Sequence, residues 1–97
     1  MPIFKKRRGI KLSYDEQGLI HFVCVNYRKL PDIVLRKITR LCDEVGNEHA
    51  EVLFEVVTNS KKTIRELAIE NHISERSLYR YRKKFYEEWE EKEKTSI

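Results

Sequence analysis

The sequence predicts an all-α protein of about five helices, and three observations carry that expectation. Glycine and proline are scarce, three and two in 97 residues, whereas all-β folds spend both on their turns. Apolar residues recur at spacings of three and four along most of the chain, the period of an amphipathic helix. Two segments, Ser13-Tyr14-Asp15-Glu16 and Thr63-Ile64-Arg65-Glu66, fit the capping box, in which hydroxyl and carboxylate each accept a hydrogen bond from a backbone N–H at a helix start. At this length one domain with one modest core is expected, and a large two-domain enzyme is excluded. Charged residues make up 37% of the chain, yet aromatics reach 10%, which describes a heavily solvated but ordered domain.

Each element can be justified in order. Residues 1–12 lack helical periodicity and read as a flexible basic arm, leaving 13–97 as a single helical domain. The first helix starts at Ser13, and its body of Leu19, Ile20, Phe22, Val23, Cys24, Val25 and Tyr27 is apolar nearly all round. A buried helix is expected there, with a buried strand over 19–27 as the alternative. Leu30-Pro31-Asp32 supplies a break and a new start, since proline loses nothing in a first helical turn. The second helix, from about Asp32 to Val45, carries Val34, Ile38, Leu41 and Val45, and Gly46 is expected in the left-handed position that ends it. Asn47 is the expected cap of a third helix striped by Ala50, Leu53, Phe54 and Val57. After the loop Thr58-Asn59-Ser60, Thr63 opens a short helix from Ile64 to about Glu70. Asn71-His72-Ile73 interrupts it, Asn and His being the types that best tolerate a positive φ. Ser74 caps the last helix, which runs through Leu78, Tyr81, Phe85 and Trp89 into an acidic helical tail at 85–97.

The formal charge of +4 conceals an uneven distribution. Residues 1–12 carry five basic groups and no acid, residues 13–60 sum to −3, residues 61–84 to +5 and residues 85–97 to −3. Localised positive segments attract phosphate backbones. The longest apolar stretch, Leu19 to Val25, is far too short to span a bilayer, and no signal core follows the basic start. A cytoplasmic protein with no membrane partner is expected. Cys24 and Cys42 form no Cys-x-x-Cys pair, and His21, His49 and His72 share no ligand spacing, so neither metal nor cofactor is expected. Without a glycine-flanked nucleophile or a glycine-rich phosphate loop, no catalytic residue is assigned and an enzyme is not expected.

Short helix, tight turn with one apolar residue, serine cap and second helix is the spacing of a helix-turn-helix. Thr63 to Tyr81 resembles that motif in DNA-binding regulators: Ala68 matches the small residue where the helices cross, Ile73 the apolar turn residue, and Leu78 the core residue of the recognition helix. Ile73-Ser74-Glu75-Arg76-Ser77-Leu78-Tyr79-Arg80 is similar to the start common in recognition helices. His72 departs from the usual Gly, and Asn71 from the apolar residue found in many members. The position of the motif, at 63–84 in a small helical chain, resembles region-four domains of sigma factors and the small transcriptional activators of phages and mobile elements. The resemblance implies transcriptional regulation by DNA binding.

Projection of the last helix at about 100° per residue puts Phe85 and Trp89 within about 20° of Leu78, while Arg76, Arg80 and Lys83 fall on the opposite side. Tyr79 and Lys84 flank them. On this reading Arg76, Ser77, Arg80 and Tyr79 address base edges, and Lys61, Lys62, Lys83 and Lys84 contact phosphates, with Ser74 at the helix start. Lys5, Lys6, Arg7 and Arg8 would act as a DNA-contacting arm. Tyr86 and Trp89 are the candidate protein interface. The expected partners are double-stranded DNA and a second copy of the chain, since one recognition helix reads few base pairs. Alternatives are a DNA-recognition or accessory subunit of a recombinase or transposase, and an interaction module that docks on RNA polymerase.

Overall fold

Five α-helices carry the fold: α1 (Tyr14–Val25), α2 (Asp32–Gly46), α3 (Ala50–Thr58), α4 (Ile64–Glu70) and α5 (Glu75–Thr95), with short 3-10 turns at Tyr27–Lys29 and Asn47–His49. The computed structural model describes residues 6, 7, 9–58 and 61–95, and no strand occurs among them. Helix starts follow local chemistry. The Glu16 N–H donates to Ser13 Oγ at 3.1 Å and the Ser13 N–H to Glu16 Oε1 at 2.9 Å. Thr63 and Glu66 repeat the exchange at 3.1 and 3.3 Å. Both of these helices also end alike: the side-chain amides of Asn26 and Asn71 donate to the carbonyls of Phe22 and Leu67, each at 2.8 Å.

Residues 19–25 are therefore helical, which removes the strand alternative, but α1 is not buried all round. Its inward residues are Gln17, Ile20 and Cys24, spaced three and four, while Leu19 remains 65% exposed. The helical period turns Leu19 and Phe22 away from the core, whatever their hydropathy. In α2 the inward residues are Ile38, Leu41, Cys42 and Val45. Gly46 does not take the left-handed position: its φ is −90°, and Asn47 beside it has the positive φ, 51°, with no side-chain capping bond. The lack of a side chain serves packing instead, because a Cβ on Gly46 would stand 3.3 Å from Leu53 Cδ2.

Two apolar clusters result. The larger joins α1, α2, α3 and α5 through Ile20, Cys24, Ile38, Leu41, Leu53, Val57, Phe85 and Tyr86. The smaller joins α3, α4 and α5 through Val52, Leu67, Ala68 and Leu78, with Ile64, Ile73 and Tyr81 packed against it. Helix α5 enters both, which explains its 21 residues. Its last part is no free tail: Phe85, Tyr86 and Trp89 are core residues, and Lys92 pairs with Glu44 of α2 at 3.2 Å.

The reading of a flexible arm needs correction at Arg7 and at residues 10–12; residues 1–5 and 8 of that arm lie outside the described residues. Ile10 is buried in the larger cluster and Leu12 packs against it. Gln17, fully buried, accepts from the Arg7 N–H at 2.9 Å and donates to the Leu12 carbonyl at 3.1 Å. The Lys11 N–H donates to Glu87 Oε2 at 3.2 Å. One buried amide thus supplies the backbone partners that a segment without secondary structure lacks.

Candidate nucleic-acid interface

The turn between α4 and α5 is built from backbone bonds. Ile73 N–H donates to Ala68 O at 3.1 Å and His72 N–H to Ile69 O at 3.4 Å, the nested pair of a Schellman ending. The pattern requires a left-handed residue at position 72, and His72 adopts it with φ 53°. Ile73 then folds into the smaller cluster beside Ala68, which ties the turn to the core. Ser74 Oγ accepts from the Ser77 N–H at 3.1 Å and lies 2.9 Å from Ser77 Oγ, so the expected serine cap is present. The expected order of short helix, tight turn and long helix over 63–84 is present as well.

Helix α5 divides into two faces. Leu78, Phe85, Tyr86 and Trp89 point inward, whereas Arg76, Tyr79, Arg80 and Lys84 are exposed and Lys83 is half-buried. Guanidinium and ring contacts restrain this surface: Arg82 Cζ lies 5.1 Å from the Tyr79 ring centre and Arg80 Cζ 5.7 Å from that of Tyr81. Such contacts contribute about 0.5–1 kcal/mol each at exposed sites and keep the cations on the helix. Tyr79, half exposed, offers an aromatic face among them. The basic residues expected to reach DNA from this helix are therefore brought together on one side.

The other expected site residues are placed differently. Lys62 is engaged, its Nζ bonded to both carboxylate oxygens of Glu70 at 2.8 and 2.9 Å. That contact raises the Lys62 pKa, so a phosphate would have to displace a carboxylate. Lys61 is exposed and lies beside Tyr27, Arg28 and Glu55, a second flank of the molecule. Lys6 is exposed, Arg7 is half-buried with its guanidinium 5.4 Å from the Tyr86 ring centre, and Lys5 and Arg8 lie outside the described residues.

Tyr86 and Trp89, expected at an interface, are interior. Tyr86 is 1% exposed because the N-terminal segment folds over it. Trp89 is 7% exposed and packs against Phe85 with the rings tilted by 39°, and Lys37 Nζ lies 4.0 Å from its ring centre. Exposed apolar side chains lie elsewhere, Ile69 on α4 among them; two, Leu19 and Ile33, rim a groove of about 480 Å³ between α1 and α2, floored by Ile20, Val34 and Trp89.

Two residues outside the expected set matter. Gln17 organises the N-terminal segment, and its place three residues before Ile20 and seven before Cys24 is the sequence signal for an inward position. Arg82 lies about 40° from Leu78 on the helix projection and is half-buried. Burial, then the charge of Arg7, pushes its pKa down to about 10, so it remains cationic at neutral pH. His21 lies near both arginines, and burial followed by their charges lowers its pKa.

Among the described residues no cluster of three or more His, Cys, Asp or Glu side chains could hold a metal, and no helix is long and apolar enough to cross a membrane. Cys24 and Cys42 are buried thiols, and burial pushes Cys42 up to about 12, which suppresses the reactive thiolate. Comparison with protein-family models, curated proteins and solved structures finds no match to this chain.

Proposed function

We propose that this protein binds double-stranded DNA in a sequence-specific manner through α4, its turn and α5, as a transcriptional regulator acting as a homodimer. The carrying observation is the division of α5: its inner face is consumed by two cores, while Arg76, Tyr79, Arg80, Lys83 and Lys84 share the outer side directly after a Ser-capped start. Arginine at such a place can bond guanine O6 and N7 bidentately, worth about 1–3 kcal/mol of discrimination. Lys83 and Lys84 add sequence-independent attraction to phosphates. Lys62 contributes less than its charge suggests, because Glu70 holds it.

The dimer follows from the short reach of one recognition helix, and it now needs a surface other than Tyr86 and Trp89. Leu19 and Ile33 are the exposed apolar side chains that a second copy would cover.

Selection of bound duplexes from a random pool, followed by titration at several salt concentrations, tests the reading. Four phosphate contacts imply a roughly 150-fold loss of affinity between about 50 and 200 mM salt. Arg80→Ala should erase preference among duplexes, whereas Lys84→Ala should weaken all duplexes alike. Weak binding that ignores salt, or identical profiles for the two variants, refutes it. Ultracentrifugation tests the dimer separately: a monomer at high micromolar concentration that stays monomeric on DNA removes it.

A further inference from the structure

Three separate segments bring basic side chains to one place beside α5. Gln17 fixes the backbone at Arg7, and the Arg7 guanidinium lies over the Tyr86 ring. His21 follows Gln17 by one turn of α1, and Arg82 precedes Tyr86 by one turn of α5. Arg7, His21 and Arg82 therefore converge at the junction of the N-terminal segment with α1 and α5. Arg82 in turn touches Tyr79, which belongs to the exposed basic side of α5.

We propose that Arg7, His21 and Arg82 form a phosphate-binding site, which takes a backbone phosphate of the DNA at the flank of the recognition helix. The identity of the ligand rests on the DNA-binding reading above; the anion site itself does not.

The physical case has two parts. Two guanidinium groups and an imidazole repel one another, and both Arg82 and His21 register that repulsion as lowered pKa values, after burial. A phosphate among them would reverse its sign, and two arginines are the side chains best shaped for its oxygens. Separately, Arg82 Nε is buried without a hydrogen-bond acceptor among the described residues. A buried donor left so is uncommon and costs about 1–3 kcal/mol, and an anion that draws the guanidinium toward itself can relieve it.

The test uses the full chain in two arms. In the first, inorganic phosphate is titrated against chloride at constant ionic strength while the His21 ring and Arg82 Nε–H resonances are followed. Both should shift with saturation in the wild type, and the His21 ring should not shift in Arg82→Gln. In the second, duplex binding is measured for the wild type, Arg82→Gln and Arg7→Gln. Each variant should lose about three- to tenfold in affinity for all duplexes alike, and the salt slope should flatten by about 0.9 per lost contact. Arg7→Gln keeps the contact falsifiable if Arg82→Gln does not fold, because Gln17 holds Arg7 through its backbone. Wild-type affinity and slope in folded Arg7→Gln or Arg82→Gln overturn the DNA contact while leaving the function standing. If the wild type binds no duplex, the proposed function falls, and the phosphate titration alone decides the anion site. No shift in that titration, with unchanged duplex binding, refutes the site entirely.

Discussion

Gln17→Ala is the most searching test of how the N-terminal segment joins the domain. The substitution removes two well-formed bonds, Arg7 N–H to Oε1 at 2.9 Å and Nε2 to Leu12 O at 3.1 Å, and a third at the 3.4 Å limit that carries little. If the segment stays in place, an N–H and a carbonyl lose their partners in a partly buried setting, at about 1–2 kcal/mol each. If it detaches, those groups regain water but Ile10 and part of Leu12 leave the core, at about 1.5–3 kcal/mol for Ile10 alone. The cheaper route limits the damage, so about 2–4 kcal/mol is expected by either path. For a domain of this size that lowers the melting temperature by about 10–20 °C. Thermal unfolding measures the loss, and amide exchange at Ile10 and Leu12 tells the routes apart. A melting temperature within about 3 °C of wild type would refute the packing of Arg7, Ile10 and Leu12 against the domain.

Three further outcomes are expected. His72→Gly relieves a left-handed non-glycine residue, and thermal melts should show a gain of about 0.5–1 kcal/mol, with the turn unchanged by chemical shift. Glu70→Gln releases Lys62 from its carboxylate, so duplex affinity should rise about two- to fivefold for all sequences and its salt dependence steepen by about 0.9. His21 has a lowered pKa in the fold, so below the ordinary value of 6.5 the unfolded chain takes up the proton more readily than the folded one. Stability should therefore fall as pH drops through 6.5 and level off below the folded value; melts of His21→Gln across the same range should lack this component.

What the sequence reveals depends on how far apart the interacting groups lie. Both capping boxes, the His72 turn and the inward face at Leu78, Phe85 and Trp89 span few residues and answer to local geometry. Gly46 shows the limit of such reasoning: glycine after a helical stripe signals a left-handed end, yet a contact with Leu53 sets its role. Lys62 and Glu70 are eight residues apart and meet because the capped turn at Thr63 folds Lys62 back along α4. Tyr86 stands about 80° from Leu78 on the projection, a border position that helical periodicity leaves open. The N-terminal segment closes it, through a contact across almost the whole chain. Seen alone, residues 1–12 offered only charge and no period; Arg7 and Leu12 are held by Gln17, whose polarity concealed an inward position.

These nonlocal contacts also determine which positive charge is available. The two basic segments, each +5 by composition, do not contribute equally. The first is drawn onto the domain at Arg7, and the second is divided between Lys62, held by Glu70, and the outer side of α5. Because α5 is a strut shared by two cores, it cannot rotate to hide Arg76, Arg80 and Lys84 without withdrawing Leu78 from one cluster and Phe85 from the other. Each such withdrawal would cost about 1.5–3 kcal/mol or more. The packing that stabilises the domain thus holds the basic side of the helix toward solvent before any ligand arrives, so a phosphate backbone would meet a surface whose ordering cost folding has already met.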